Sequence, residues 1–336
     1  MWPARVKSGL ILESFAGTIH RRRNSVGSWQ QYFRLGVVHY GAFPTVEGSA
    51  WMRSLCHILG DEDFEAVEIT TNFDPRETST IAALVRSTEF RLVLSGGPMF
   101  FKEGWDLSST DFDVRQRAHG KVRKMIDSGA SLGADAILVF SGPDVEQEMR
   151  PAAMDSLKSS MVALSDYAKG HLGPNAPQIQ VETFDRDLTV GRLLGPSGEA
   201  AQCMESARRD GAAAGITVDL SHIHQQGEDP EVVPDVLGEI LTHVHLSNCV
   251  VDDPRDSLYG DQHPPFGWPG SRVGRGELAS FLKALDRSGF FRRPFRGERP
   301  IVSLEVKPPP GTNPYSILAE AKADFIAAWN ACSSED

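Results

Sequence analysis

Eight short runs of aliphatic and β-branched residues, each followed by a polar turn and a segment of helical period, constrain this chain more than any other feature. The runs are Leu35–Phe43, Phe64–Thr70, Arg91–Gly96, Asp135–Gly142, Gln178–Phe184, Ile216–Leu220, Thr242–Asn248 and Pro300–Lys307. Several, such as Ala136–Phe140, are apolar on both sides of the pleat. That is the pattern of a strand covered by helices on one face and by barrel filling on the other. Helical patterns cover Trp51–Leu59, Thr78–Arg86, Val114–Leu132, Met154–His171, Glu199–Ala214, Glu231–Ile240, Glu277–Arg287 and Ser316–Ala331. Pro196-Ser197 and Asp229-Pro230 read as helix starts, and Gly133 and Gly215 as stops. This count and order describe a single (β/α)8 TIM barrel of the α/β class rather than an open doubly wound sheet. No glycine-rich phosphate loop follows the first run, which argues against a dinucleotide-binding fold.

Two segments exceed the minimal barrel. Residues 1–34, with Arg21-Arg22-Arg23, form an N-terminal extension, expected as a solvated arm or a cap on the barrel bottom, ahead of a barrel over 35–331. The second is the stretch Cys249–Arg275, between the seventh strand and its helix. Loops beyond about 12–15 residues are uncommon in compact domains and are often functional. This one lies at the C-terminal face, where barrels carry their active sites.

Composition narrows the function classes. The net charge of −11 disfavours nucleic acid and anionic membranes as partners. The four cysteines, at 56, 203, 249 and 332, form no CxxC pair and read as reduced thiols. No apolar run approaches the roughly 20 residues that span a bilayer, and no secretory leader is evident, so a cytoplasmic location is expected.

Polar residues near the C-terminal ends of barrel strands face the active-site mouth. Those positions hold Glu68 on the second strand, Glu182 on the fifth, Asp219 on the sixth, His245 on the seventh and Glu305 on the eighth. A carboxylate in an apolar run costs several kcal/mol unless it is paired or holds a metal. Glu182, Asp219, His245 and Glu305 come from consecutive strands, and three of them are anions, so a shared divalent cation is expected. Three oxygens and one imidazole suit Mn²⁺, Mg²⁺ or Co²⁺, and the histidine favours manganese. His243 is expected to pack between strand and helix. Glu68 and His39 are expected to face substrate or to support the wall, the second strand being far round the ring from the cage. His222, one step past Asp219, and His263, in a stiff Pro- and Gly-containing stretch of the long loop, are candidate acids. Arg272 and Lys307 are candidate substrate contacts. Tyr259, Phe266 and Trp268 would give the mouth an apolar side.

The combination of Glu182, Asp219-x-x-His222, His243-x-His245 and Glu305 resembles the xylose-isomerase-like TIM-barrel superfamily of sugar isomerases and epimerases, over roughly residues 35–331. The resemblance implies that Glu182, Asp219, His245 and Glu305 hold the metal, that the two glutamates shuttle a proton, and that His222 touches a substrate oxygen. Gly36–Pro44 and Tyr259–Gly270 are further similar to the catalytic, larger subunits of bacterial C-glycoside deglycosidases. Those enzymes act on glycosides oxidised to 3-keto sugars and pair the barrel with a small β-subunit.

The chemistry expected is removal of a proton next to a sugar carbonyl, with a metal-stabilised enediolate. Its best specific form is β-elimination of a 3-oxo-C-glycoside, a carbon–carbon lyase reaction, and its alternative is sugar or sugar-phosphate isomerisation or epimerisation. An oligomer and a small sugar or oxidised glycoside are the expected partners. A metal nuclease of the AP endonuclease type would need several metals and a basic face, which the acidic charge opposes. A binding-only barrel would need a degraded ligand set.

Overall fold

The computed structural model describes residues 28–70 and 75–333. Eight parallel strands close into one barrel in chain order. They are β1 (Arg34–Val38), β2 (Ala66–Thr70), β3 (Arg91–Ser95), β4 (Ala136–Phe140), β5 (Gln178–Glu182), β6 (Ala214–Asp219), β7 (Leu241–Leu246) and β8 (Ile301–Leu304). Each is followed by helix, the longest being Phe112–Leu132 and Arg150–Leu172. The sequence explains the helix ends. Asp111 caps the first of these two through the backbone N–H groups of Asp113 and Val114, and Gly133 closes it in the left-handed region at φ 80°.

Outward strand positions such as Val67, Leu94, Val139, Val181 and Val302 are fully or almost fully buried beneath the helices. Each such side chain contributes roughly 1.5–3 kcal/mol of burial free energy, which makes the layer between strands and helices the main core. Inward positions are set by the register. Val38 pairs with Glu68, Phe140 with Glu182, Asp219 with His245, and His245 with Ser303. Partners across a ladder share a face, so the polar strand ends all point into the barrel. Gly36 permits this crowding, since a Cβ there would stand 2.6 Å from Ser303 Oγ and 3.1 Å from Ala66 Cβ.

Several sequence readings change. β1 stops at Val38, and His39–Ala42 turns into a short helix. Gly215 is not a helix stop. The helix ends at Arg209, and Gly215 lies within β6, where any side chain would collide with Thr242. A helix at Gly97–Glu103 was not expected. Residues 1–27 of the N-terminal extension, with the arginine run, lie outside the described residues. Residues 28–33 pack under the barrel, where Phe33 stacks on Phe291 at 4.8 Å and meets Trp329 edge-on. Among the described residues no helix is long and apolar enough to cross a membrane.

Candidate metal centre

The ends of β5 to β8 bring Glu182, Asp219, His245 and Glu305 together, one ligand atom of each lying within 4.8 Å of the others. All four are buried, Asp219 and His245 completely. His245 Nδ1 is the centre of the group, 2.8 Å from Glu305 Oε2, 3.4 Å from Glu182 Oε1 and 3.9 Å from Asp219 Oδ2. Local structure positions the aspartate. Its Oδ1 accepts the backbone N–H of Ser221 at 2.6 Å and the hydroxyl of Ser247, capping the short helix Leu220–Gln225. Its Oδ2 is buried without a hydrogen-bond partner among the described residues.

Electrostatics follow from this crowding. Burial pushes the Glu182 carboxyl up to about 8, the neighbouring His245 offsetting only part of the shift. Burial also opposes charge on His245, but Glu68, Glu182 and Glu305 outweigh it and hold the imidazole protonated well above its ordinary range. Glu305 is likewise buried, yet His263, His245 and Lys307 hold it below the usual carboxylate range. Three carboxylates around one imidazole are under-compensated. An unpaired buried acceptor such as Asp219 Oδ2 is costly unless something fills the space. A donor set of three carboxylate oxygens and one imidazole nitrogen fits a divalent cation with positions left over for substrate.

A sequence profile described as the xylose isomerase-like TIM barrel matches residues 57–323. The chain belongs to that family. No curated protein sequence matches it. Among solved structures it is similar to an L-ribulose 3-epimerase, with a TM-score of 0.68 at 15% identity over 90% of this chain and 96% of the other. It is also similar to the IOLI protein with a bound zinc atom, with a TM-score of 0.65 at 15% identity over 88% and 98% of the two chains. A 3-keto-D-glucoside 4-epimerase from E. coli matches with a TM-score of 0.60 at 13% identity over 89% and 100%. At such identities these likenesses describe the xylose isomerase-like fold alone.

A second layer lies over the cage. His222 Nε2 stands 3.8 Å from Glu182 Oε1, its ring 4.1 Å from that of Phe184. His263 Nε2 is 2.6 Å from Asp261 Oδ1 and 3.8 Å from Glu305 Oε1. His263 holds a positive φ of 44°, which a non-glycine residue adopts at a cost of order 1–3 kcal/mol and which clusters at functional sites. Burial and Lys307 both oppose protonation of His263, but Asp261 and Glu305 prevail and raise its proton affinity. Asp261 is held below its ordinary range, despite burial, by Lys307, His263 and His222. Lys307 is beside the cage, its Nζ donating to the Asp261 carbonyl at 3.0 Å and its backbone N–H to that of His263 at 2.8 Å.

Other expected contacts fall elsewhere. His39 turns away from the mouth and bonds Ser54 Oγ at 2.8 Å, packed against Trp51 and Phe43, because the turn after β1 reverses its direction. Arg272 is exposed and pairs with Asp252 at 2.6 Å, its backbone N–H anchored to the Cys249 carbonyl. His243 is not packed between strand and helix. Two residues from His245, it shares the inward face and bonds Ser303 Oγ at 2.9 Å. Glu68 is not remote from the cage, since the ring closes through β1 and its Oε2 lies 3.1 Å from His245 Nε2.

Phe266 belongs to the hydrophobic core rather than to an apolar mouth. Phe140, Phe184 and Phe101 make an aromatic wall beside the cage instead, with ring centroids 5.2–5.7 Å apart and Arg192 stacked on Phe101 at 4.2 Å. Sequence reasoning missed that wall, and it missed Asn248, Tyr40 and Asp261. Asn248 pins the long loop through Pro265, Ser271 and Val273. The Asp261-x-His263 spacing in a stiff segment was the available signal for Asp261.

Proposed function

We propose that the protein is a manganese-dependent epimerase or isomerase of a keto sugar. The observation that carries this reading is the buried cage of Glu182, Asp219, His245 and Glu305 at the barrel mouth. Bound there, a divalent cation would supply Lewis-acid polarisation of a substrate carbonyl and compensation for the clustered negative charge.

The chain's own residues supply the proton traffic. Glu182 and Glu305 approach His245 Nδ1 as separate carboxylates, so one can take a proton and the other return it. Removal of the proton beside the carbonyl by one carboxylate, and delivery to the opposite face by the other, inverts that carbon. Return to the adjacent carbon isomerises the sugar, with oxygen protons passed by His222 or by His263 on its Asp261 partner. Phe184 and His222, both buried and packed ring to ring, would shield one side from water.

Structural neighbours described as an L-ribulose 3-epimerase, a D-psicose 3-epimerase and a 3-keto-D-glucoside 4-epimerase support epimerisation or isomerisation over the lyase reaction expected from the deglycosidase resemblance. The test is incubation of the manganese-loaded protein in D2O with free ketoses and with 3-keto glycosides. Deuterium at the carbon beside the carbonyl, with the glycosidic bond intact, is the expected result. Aglycone release would instead establish the lyase, and no exchange with any substrate would refute both.

A further inference from the structure

The cage explains four of the strand-end polar groups and leaves Glu68 over. Glu68 is completely buried and comes from β2, separated from β8 by β1 alone in the closed ring. Both of its oxygens are engaged. Oε1 accepts the Tyr40 hydroxyl at 2.6 Å, and the same hydroxyl lies 3.1 Å from Ser95 Oγ. Oε2 lies 3.1 Å from His245 Nε2. We infer that Glu68, steadied by Tyr40, is a positioning residue that fixes the His245 ring so that Nδ1 faces the cage.

The argument is one of hydrogen-bond inventory. An ionised carboxylate can only accept, so the nitrogen facing it must carry a proton. In the neutral imidazole that leaves the lone pair on Nδ1, the atom 2.8–3.9 Å from the three cage carboxylates. A ring rotated by half a turn would set carbon atoms against Glu68 and strand a buried charge. His243 cannot substitute as the partner. Its Nε2 is already bonded to Ser303, and its Nδ1 lies 3.9 Å from Glu68, beyond hydrogen-bond reach. Glu68, His243 and His245 also stand close enough to suggest a second cation site. Both oxygens of Glu68 are engaged, by Tyr40 and by His245 Nε2, and the latter contact argues for the positioning role instead.

The inference rests on the cage reading, and zinc binding separates the two. Zn²⁺, a diamagnetic probe, is titrated into wild-type, E68L, E68Q and Y40F proteins against a competing chelator. Nitrogen-15 spectra of histidine-labelled protein then report the His245 tautomer. We expect one ion per chain in the wild type and a His245 Nε2–H protected from exchange. E68L should bind about 10–100-fold more weakly and lose that signal, as for other partners of metal-bound histidines. E68Q, which keeps an acceptor, should restore the Nε2–H signal and most of the affinity. Y40F should weaken binding less than E68L and decides the matter if E68L does not fold. Unchanged affinity in E68L or, failing that, in Y40F would overturn the inference and spare the cage, as would a second bound ion or ligation through Nε2. A wild type that binds no zinc would overturn both.

Discussion

If the proposed cage holds a divalent metal, lowering the pH should expel it, and the structure sets the direction and order of the effect. Glu182 and His245 must both lose a proton to act as ligands, and in the metal-free protein both hold it tightly. Burial takes Glu182 to about 8, and the surrounding carboxylates take His245 well above its ordinary value. Protons and metal therefore compete for the same atoms, so affinity falls as pH falls. For Glu182 alone, the ionised fraction drops from about one half near pH 8 to about one hundredth near pH 6, which lowers affinity by roughly one to two orders of magnitude, or about 2 kcal/mol. His245 steepens the fall. Calorimetric titration with Mn²⁺ at these two pH values, in buffers of different ionisation enthalpy, measures the affinity and counts the protons released. E182Q should bind more weakly overall and with a shallower pH slope. An affinity constant to within about threefold across this range, with no buffer dependence of the heat, would refute the reasoning.

Burial lowers the His39 imidazole to about 4, so it stays neutral in the folded chain while it would charge near 6.5 once unfolded. Its contribution is intact above that value and is lost as pH falls toward 4. Between pH 7 and pH 5, wild type should lose about 2 kcal/mol more than H39Q in urea denaturation, and equal losses would exclude His39 as the cause. G36A should destabilise by about 1–3 kcal/mol, because the new methyl meets Ser303 and Ala66, and an unchanged denaturation midpoint would show that the interior yields. D261N should lower the proton affinity of His263, since burial and Lys307 then act against a weakened opposition. An NMR titration of His263 indistinguishable from wild type would deny the pairing.

The barrel was legible because parallel strands buried on both faces write themselves as continuous aliphatic runs, and a charged residue at the end of such a run stands out. Glu182, Asp219, His245 and Glu305 are all of that kind. What escaped depends on geometry that no linear pattern carries. His39 belongs to a turn rather than to the strand, a matter of where β1 stops, and its orientation reverses with it. Glu68 looks distant only when strands are counted along the chain; closure through β1 sets β2 next but one to β8 and brings Glu68 to His245. His243 was misread against the two-residue period of the pleat. The aromatic wall draws one ring from the helix after β3, one from β4 and one from the loop after β5, and such convergence has no spacing to find.

The most direct test is an anomalous diffraction map from crystals of the protein soaked in Mn²⁺, recorded above and below the manganese edge. The account predicts one strong peak bonded to Glu182, Asp219, His245 Nδ1 and Glu305. A map with no peak among those four side chains, in crystals where manganese binds elsewhere, would contradict it.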